Sequence, residues 1–236
     1  MLLVLTATPL ESTLLRHRLQ SRQDLPCGNA TLHQGQLHGQ QVLIGHSGIG
    51  AMLTAMQLTR ILLTHRPTAV ILCGCGGSYP GSDLHNGDLA LATREIYGDC
   101  GVATDQGFLP FAELNIPQQA TAAPVFHQSY PLDPLLLQRA GEILPRVTVG
   151  PFVTVSCCSG TPETSAELAR RTGGICENME GAAAAQVCAE FALPLLEVRG
   201  ISNPTGTRDP RQWDIRLGAE VAQQAVLTLL QPGIVS

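Results

Sequence analysis

Strand-like and helix-like hydrophobic patterns alternate along the whole chain, and that alternation narrows the possible folds more than any other feature. Leu2–Thr6 is a short apolar β run, after which Thr8 as a cap and Pro9 at the first turn open a helix over 9–22. Residues 31–36 and 41–46 read as two strands joined through Gly39. Gly48-Ile49-Gly50 leads into 51–65, whose apolar positions 52, 53, 56, 61, 62 and 63 suit a half-buried helix. A continuous apolar strand at 69–73 runs into Gly74-Cys75-Gly76-Gly77, and another strand follows at 88–97. Residues 98–131, with their prolines and glutamines, show little period and read as a surface excursion. Helices are expected at 132–144, 162–172, 179–191 and 215–230, and strands at 147–156 and 194–199. No repeat or linker divides the chain, so residues 1–236 are expected to form one domain, a three-layer α/β/α fold on a mixed central sheet. Ligands of such folds bind beyond the carboxyl ends of the strands. The unusual local sequences fall there: 8–11, 48–50, 74–77, 156–161, 176–180 and 200–203.

Composition removes several classes. With 236 residues, 44% hydrophobic and 14% charged, the chain can bury one core and is not intrinsically disordered. No apolar run reaches the ~18–20 residues that span a bilayer. The first residues lack a basic leader and meet Pro9 and Glu11 at once, so they read as a buried strand and not a secretion signal. A net charge of −5 offers no broad attraction for nucleic acid or anionic membrane. All 14 basic residues are arginine. Without lysine there is no phosphate loop of the G-x-x-x-x-G-K type, no kinase-type lysine and no Schiff base, including one to pyridoxal phosphate. The eight cysteines include no C-x-x-C pair and the seven histidines no H-x-x-x-H pair, so neither a metal nor a cofactor is expected. Reduced thiols in the cytoplasm are the expectation.

Five places could carry chemistry, each with a plainer explanation beside it. Gly48-x-Gly50 hints at a dinucleotide turn, but Leu53 occupies the third glycine position and no acid follows about twenty residues on. It reads as a tight turn whose N–H groups line a polar pocket. The run Cys75, Gly76, Gly77 lets a ligand approach the backbone, or marks a bend at a sheet edge. Glu177 and Glu180 complement a helix dipole, or one of them accepts paired hydrogen bonds from a vicinal diol such as the ribose 2′- and 3′-hydroxyls. Ser202-Asn203-Pro204 is a good turn sequence leaving a buried strand. Glu11, in the first turn after strand one, is a dipole complement or a base. No serine or cysteine nucleophile can be assigned.

Taken together these segments resemble the nucleoside phosphorylase/nucleosidase superfamily, and within it the futalosine hydrolase branch. The resemblance spans almost the whole chain. It rests on Thr6-Ala7-Thr8-Pro9-Leu10-Glu11, Gly48-Ile49-Gly50, Gly107-Phe108-Leu109-Pro110, Met179-Glu180-Gly181-Ala182 and Arg199-Gly200-Ile201-Ser202-Asn203 in that order. It implies cleavage of a purine N-glycosidic bond by water, through an oxocarbenium-like state. By that resemblance Glu11 activates the water, Glu180 binds the ribose hydroxyls and Met179 packs on the sugar. Cys75, Gly76, Gly77 and Ser202 line the pocket. Phe152, or a residue of 156–161, stacks on the base, and Arg199 orients the carboxylates. Trp213 and Asp214 belong to a closing flap. Asn203 stands where adenine-directed members carry Asp. Its amide can accept from N7–H while donating to O6 of a 6-oxopurine, which points to hypoxanthine as the leaving base and futalosine, of menaquinone biosynthesis, as substrate. Three readings compete: a methylthioadenosine/adenosylhomocysteine-type or aminofutalosine nucleosidase, a purine nucleoside phosphorylase using distant arginines such as Arg16 or Arg22, and a non-catalytic nucleoside-binding protein. The resemblance further implies a homo-oligomer, with Phe108, Leu109, Phe111 and Leu114 offering an apolar contact surface.

Overall fold

A computed structural model describes residues 1–114 and 128–231. The chain runs β1 (Leu2–Thr6), α1 (Thr13–Arg18), β2 (Gln20–Cys27), β3 (Ala30–Leu37), β4 (Gln40–His46), α2 (Ala51–His65), β5 (Ala69–Ser78) and β6 (Leu89–Tyr97). It continues with β7 (Gly101–Thr104), β8 (Gly107–Pro110), β9 (Ser129–Pro131), α3 (Pro134–Ile143), β10 (Thr148–Thr154) and α4 (Pro162–Thr172). β11 (Cys176–Asn178), α5 (Gly181–Glu190), β12 (Leu195–Pro204) and α6 (Ile215–Leu229) complete it.

The sheet has the mixed character expected. β1 lies between β4 and β5, parallel to both. Its successive side chains point to opposite faces, so an apolar run such as Leu2–Thr6 must be covered twice. Leu3 and Leu5 join Leu43, Leu72 and the α2 residues Leu58 and Ile61 in one core. Val4 joins Ile44, Ile71 and the α6 residues Ala222 and Val226 in a second core on the other face. Helices on both faces make the three layers.

At one edge β2, β3 and β4 form an antiparallel meander. At the other end the sheet closes on itself. β11 pairs in parallel with β10 and antiparallel with β5, so β5, β12, β6, β10 and β11 form a small barrel.

Three local expectations are corrected. The helix expected over 9–22 is a 3₁₀ turn, Pro9–Ser12, followed by α1, and the chain turns into β2 from Gln20. β2 is an exposed edge strand of mostly polar residues, so it carries no period-2 apolar signal. The glycine run is not a loop after a strand: Gly74–Gly77 lies within β5. The excursion contains the β7–β8 hairpin and β9, while its middle, 115–127, lies outside the described residues. Phe108 in that hairpin lies under the Arg171 guanidinium, 4.1 Å from ring centroid to Cζ.

Candidate active site

A cavity of about 290 Å³ opens at the carboxyl ends of β1, β4, β5, β10, β11 and β12. Glu11, Cys75, Gly76, Gly77, Met179, Glu180, Ser202 and Asn203 all line it. Glu11 and Asn203, 192 positions apart in sequence, meet there because the parallel strands β1, β5 and β12 deliver the residues at their ends to one end of the sheet, and barrel closure brings the end of β11 beside them.

Glu11 is held before any ligand arrives. Thr8 donates to its Oε2 from both the backbone N–H, at 2.8 Å, and the hydroxyl, at 2.9 Å. This is the capping box of the 3₁₀ turn, with Pro9 fixing the turn's first φ. The other oxygen, Oε1, accepts from Cys75 N–H at 3.0 Å. A Cβ on Gly74 would lie 2.6 Å from this oxygen, and one on Gly76 would collide with the Cys176 sulfur. Gly74 therefore makes room for a carboxylate and Gly76, on the same face of β5, for the barrel-closing β11.

Glu180 caps α5 and is 4% exposed. Its Oε1 accepts from Gly50 N–H at 3.0 Å and its Oε2 from Arg199 Nη1 at 3.2 Å. Gly50 has φ +98°, a conformation that an L side chain rarely adopts, and this aims its N–H at the carboxylate. Arg199 is 2% exposed and also donates Nε to Glu197 at 2.9 Å and Nη1 to the Cys75 carbonyl at 3.0 Å. It lies against the carboxylates, and its Nη2 is buried without a partner among the described residues. Asn203 accepts from the Ser202 hydroxyl at 2.7 Å and donates to the Pro204 carbonyl at 3.0 Å. One amide N–H and one oxygen lone pair remain for a ligand.

Burial raises both cysteine thiols of the cavity. Cys75 is pushed up to about 12 by desolvation and then by Glu11, and Cys158 rises for the same first reason, with Glu177 next. Both are therefore neutral thiols at pH 7, unsuited to nucleophilic attack.

Phe152 is not in the cavity. It is fully buried in the core with Leu72 and Ala184, because the alternation of β10 turns it inward. The cavity wall is instead built by Cys158 and Ser159 of the adjoining loop, the other position expected for a base-stacking residue. Trp213 also lines the cavity, with the Arg208 guanidinium 4.3 Å above its ring, while Asp214 caps α6 through Leu217 N–H at 2.9 Å.

The model of the phosphorylase superfamily matches residues 2–231. The chain belongs to this family. Among its relatives in the superfamily is the futalosine hydrolase of Thermus thermophilus, 33% identical over 82% of this chain and 83% of that protein. Another is the 5′-methylthioadenosine/S-adenosylhomocysteine nucleosidase of Mycobacterium bovis, 26% identical over 97% and 94%. The fold is that of the Neisseria meningitidis nucleosidase of the same name, crystallised with methylthio-immucillin-A: the TM-score is 0.84 at 20% identity, over 98% of each chain.

Some residues at and behind the cavity carry weaker sequence signals. Glu177 accepts from Tyr79 OH at 2.8 Å and from Ser159 N–H at 3.0 Å, and also from the Ser159 hydroxyl, which ties the 156–161 loop to β11. Its partners are 98 and 18 positions away, so no local pattern reveals them. Glu197 had a readable signal. In Leu195-Leu196-Glu197-Val198-Arg199, opposite charges at i and i+2 of an apolar strand share one face and require each other.

Proposed function

We propose that the protein hydrolyses the N-glycosidic bond of a purine nucleoside, with futalosine as substrate and hypoxanthine and dehypoxanthine futalosine as products. The observation that carries the reading is that two buried, pre-bonded carboxylates, Glu11 and Glu180, line one cavity with the amide of Asn203. Glu180 accepts the ribose 2′- and 3′-hydroxyls, and its charge favours the cationic sugar of the transition state. Glu11 takes a proton from the attacking water. The departing base takes a proton from solvent water at N7, and Asn203 accepts from that N7–H and donates to O6. The similarity to the Thermus thermophilus futalosine hydrolase supports the same substrate.

Phosphorolysis fits the site less well. A phosphate needs free cations and N–H groups, yet Gly50 N–H is bonded to Glu180, Arg199 is held by Glu197 and Glu180 with Nη2 alone unpartnered among the described residues, and Arg208, the other cation of the cavity, lies over Trp213. Arg16 is bonded to the Pro9 carbonyl and Ser12, and Arg22 is bidentate on Asp24. The methylthioadenosine/adenosylhomocysteine reading is favoured by the relatives of that name and opposed by Asn203.

One assay separates these readings. Purified protein is incubated in phosphate-free buffer with futalosine, inosine or methylthioadenosine, and released base is followed by chromatography. Hypoxanthine from futalosine alone is expected. Adenine from methylthioadenosine overturns the substrate assignment, and activity that requires phosphate overturns hydrolysis. Nucleoside binding without turnover makes the chain a binding protein.

The proposal includes a homo-oligomer in the cytoplasm. Met52 and Met56 on α2 are 85% and 50% exposed, one turn apart and next to Ile49, which lines the cavity. A second copy covers this apolar face; a monomer at micromolar concentration in light scattering refutes it. All eight cysteines are unpaired, in keeping with a reducing compartment. Among the described residues no helix is long and apolar enough to cross a membrane.

A further inference from the structure

Behind the cavity wall lie two acids that do not line it. Glu95 on β6 and Glu197 on β12 are both fully buried. Their carboxyl groups meet over the first residue of α5. A Cβ on Gly181 would lie 2.6 Å from Glu197 Oε2 and closer still to Glu95 Oε1, and the two groups are within side-chain hydrogen-bond reach of each other.

Each acid leads to Glu180 by its own route. Glu197 Oε1 accepts from Arg199 Nε at 2.9 Å, and Arg199 Nη1 donates to the Glu180 carboxylate at 3.2 Å. Glu95 Oε1 accepts from Asn178 Nδ2 at 2.6 Å, and Asn178 Oδ1 accepts from Glu180 N–H at 3.0 Å and Gly181 N–H at 2.7 Å. The two routes make a ring that begins at the carboxylate of Glu180 and returns to its backbone. Every link but one has a donor. The exception is Glu95–Glu197, where Glu197 Oε2 has no donor among the described residues.

We propose that Glu95 and Glu197 share one proton in this gap, and that the resulting acid–carboxylate pair consists of positioning residues that hold the Glu180 carboxylate and its backbone together. The inference rests on reading Glu180 as the ribose ligand.

The charges favour this arrangement. The titratable and charged groups facing Glu95 are Glu197 and Arg199 of β12, Cys176 of β11 and Tyr97 of its own strand, with the hydroxyl of Thr154 on β10. The one cation among them, Arg199, is bonded to Glu197 and Glu180. Burial and the charge of Glu197 hold Glu95 well above the usual carboxyl range; burial raises Glu197 too, but Arg199 draws it back toward the ionised form. The proton therefore resides on Glu95 and is donated to Glu197. A deprotonated Glu95 would set a second buried negative charge against Glu197, with Arg199 already shared between Glu197 and Glu180, and the ring would open at that point.

The test combines infrared spectroscopy with kinetics on the full-length protein. The wild type at pH 7 is expected to show the carbonyl stretch of a protonated carboxylic acid, absent in Glu95→Gln. Because an amide donates to Glu197 and accepts from Asn178, Glu95→Gln is expected to keep kcat/KM for the nucleoside within about threefold of wild type. Glu95→Ala opens the ring and is expected to raise KM by about tenfold or more with a smaller change in kcat. No acid band in the wild type, or a Glu95→Gln variant as impaired as Glu95→Ala, overturns the shared proton. A band together with unchanged KM in a folded Glu95→Ala overturns the positioning role. If Glu95→Ala does not fold, the wild-type band and Glu95→Gln decide. An unchanged KM in Glu180→Gln instead refutes the ribose assignment and leaves the proton pair standing.

Discussion

Glu11 and Asn203 differ in how much of their hydrogen-bonding capacity the protein has already used, and that difference sets what their substitution should do. Glu11 accepts three donors in the absence of any ligand, so its geometry does not depend on substrate. Glu11→Gln keeps the shape but offers an N–H where the carboxylate accepted one. The expected outcome is a loss of about a hundredfold or more in kcat with binding retained, measured by hypoxanthine release alongside calorimetric titration with a nucleoside. Turnover close to wild type would remove Glu11 from the chemistry. Asn203 retains one free donor and one free acceptor. Asn203→Asp loses the donor, so kcat/KM for the 6-oxopurine nucleoside should fall on the order of a hundredfold relative to that for methylthioadenosine. An unchanged ratio between the two substrates would show that Asn203 does not read the base. Both residues were recognisable in the sequence from short motifs at strand ends. Phe152 was misread because an aromatic residue in a β run faces core or site according to the strand's phase, which only the register on β11 and β6 fixes.

At the level of helices and strands, close packing by glycine does what side chains do elsewhere. α6 lies on β12 where Gly200 meets Gly218: a Cβ on Gly200 would collide with the Gly218 carbonyl oxygen, which is backbone and cannot swing away. Gly200→Ala should therefore push α6 off the sheet next to Ser202 and Asn203, costing about 1–3 kcal/mol and lowering Tm. Gly141 in α3 is the control, since a Cβ there meets nothing within 4 Å. Gly141→Ala should stabilise by about 0.5–1 kcal/mol through helix propensity. Equal Tm changes in thermal denaturation would refute the argument. Of the elements, α2 and α4 stand at the expected 51–65 and 162–172, because helix signals are local. β2 and the glycine-containing end of β5 escaped because strand formation there depends on partners, β3 for one and β12 and β11 for the other.

Across the molecule, buried titratable groups bound the pH range in which the fold is most stable. His46 is lowered to about 4, first by burial and then by Arg16 and His33. The unfolded chain therefore binds more protons than the native one between its ordinary pKa near 6.5 and about 4, and stability should fall as pH drops through that window. Glu95 behaves oppositely. Its folded pKa lies above the unfolded value, so its contribution is complete below the usual carboxyl range and is lost as pH rises toward the folded value. While it is protonated only in the native state, the slope is about 1.4 kcal/mol per pH unit. Urea melts across pH should show Glu95→Gln losing that alkaline slope, and a parallel profile would contradict a proton on Glu95. The same interior explains what could and could not be read in one dimension. The alternating layers, the missing lysine chemistry, the two motif carboxylates and the amide at 203 are local properties, written in periodicity and residue type. The barrel closed by β11, the use of Gly74 and Gly76 as clearance, the inward turn of Phe152 and the ring joining Glu95, Glu197, Arg199 and Glu180 are not. Each depends on contacts between residues that are distant in the chain, and their energies come from desolvation and packing that exist only once the sheet has closed.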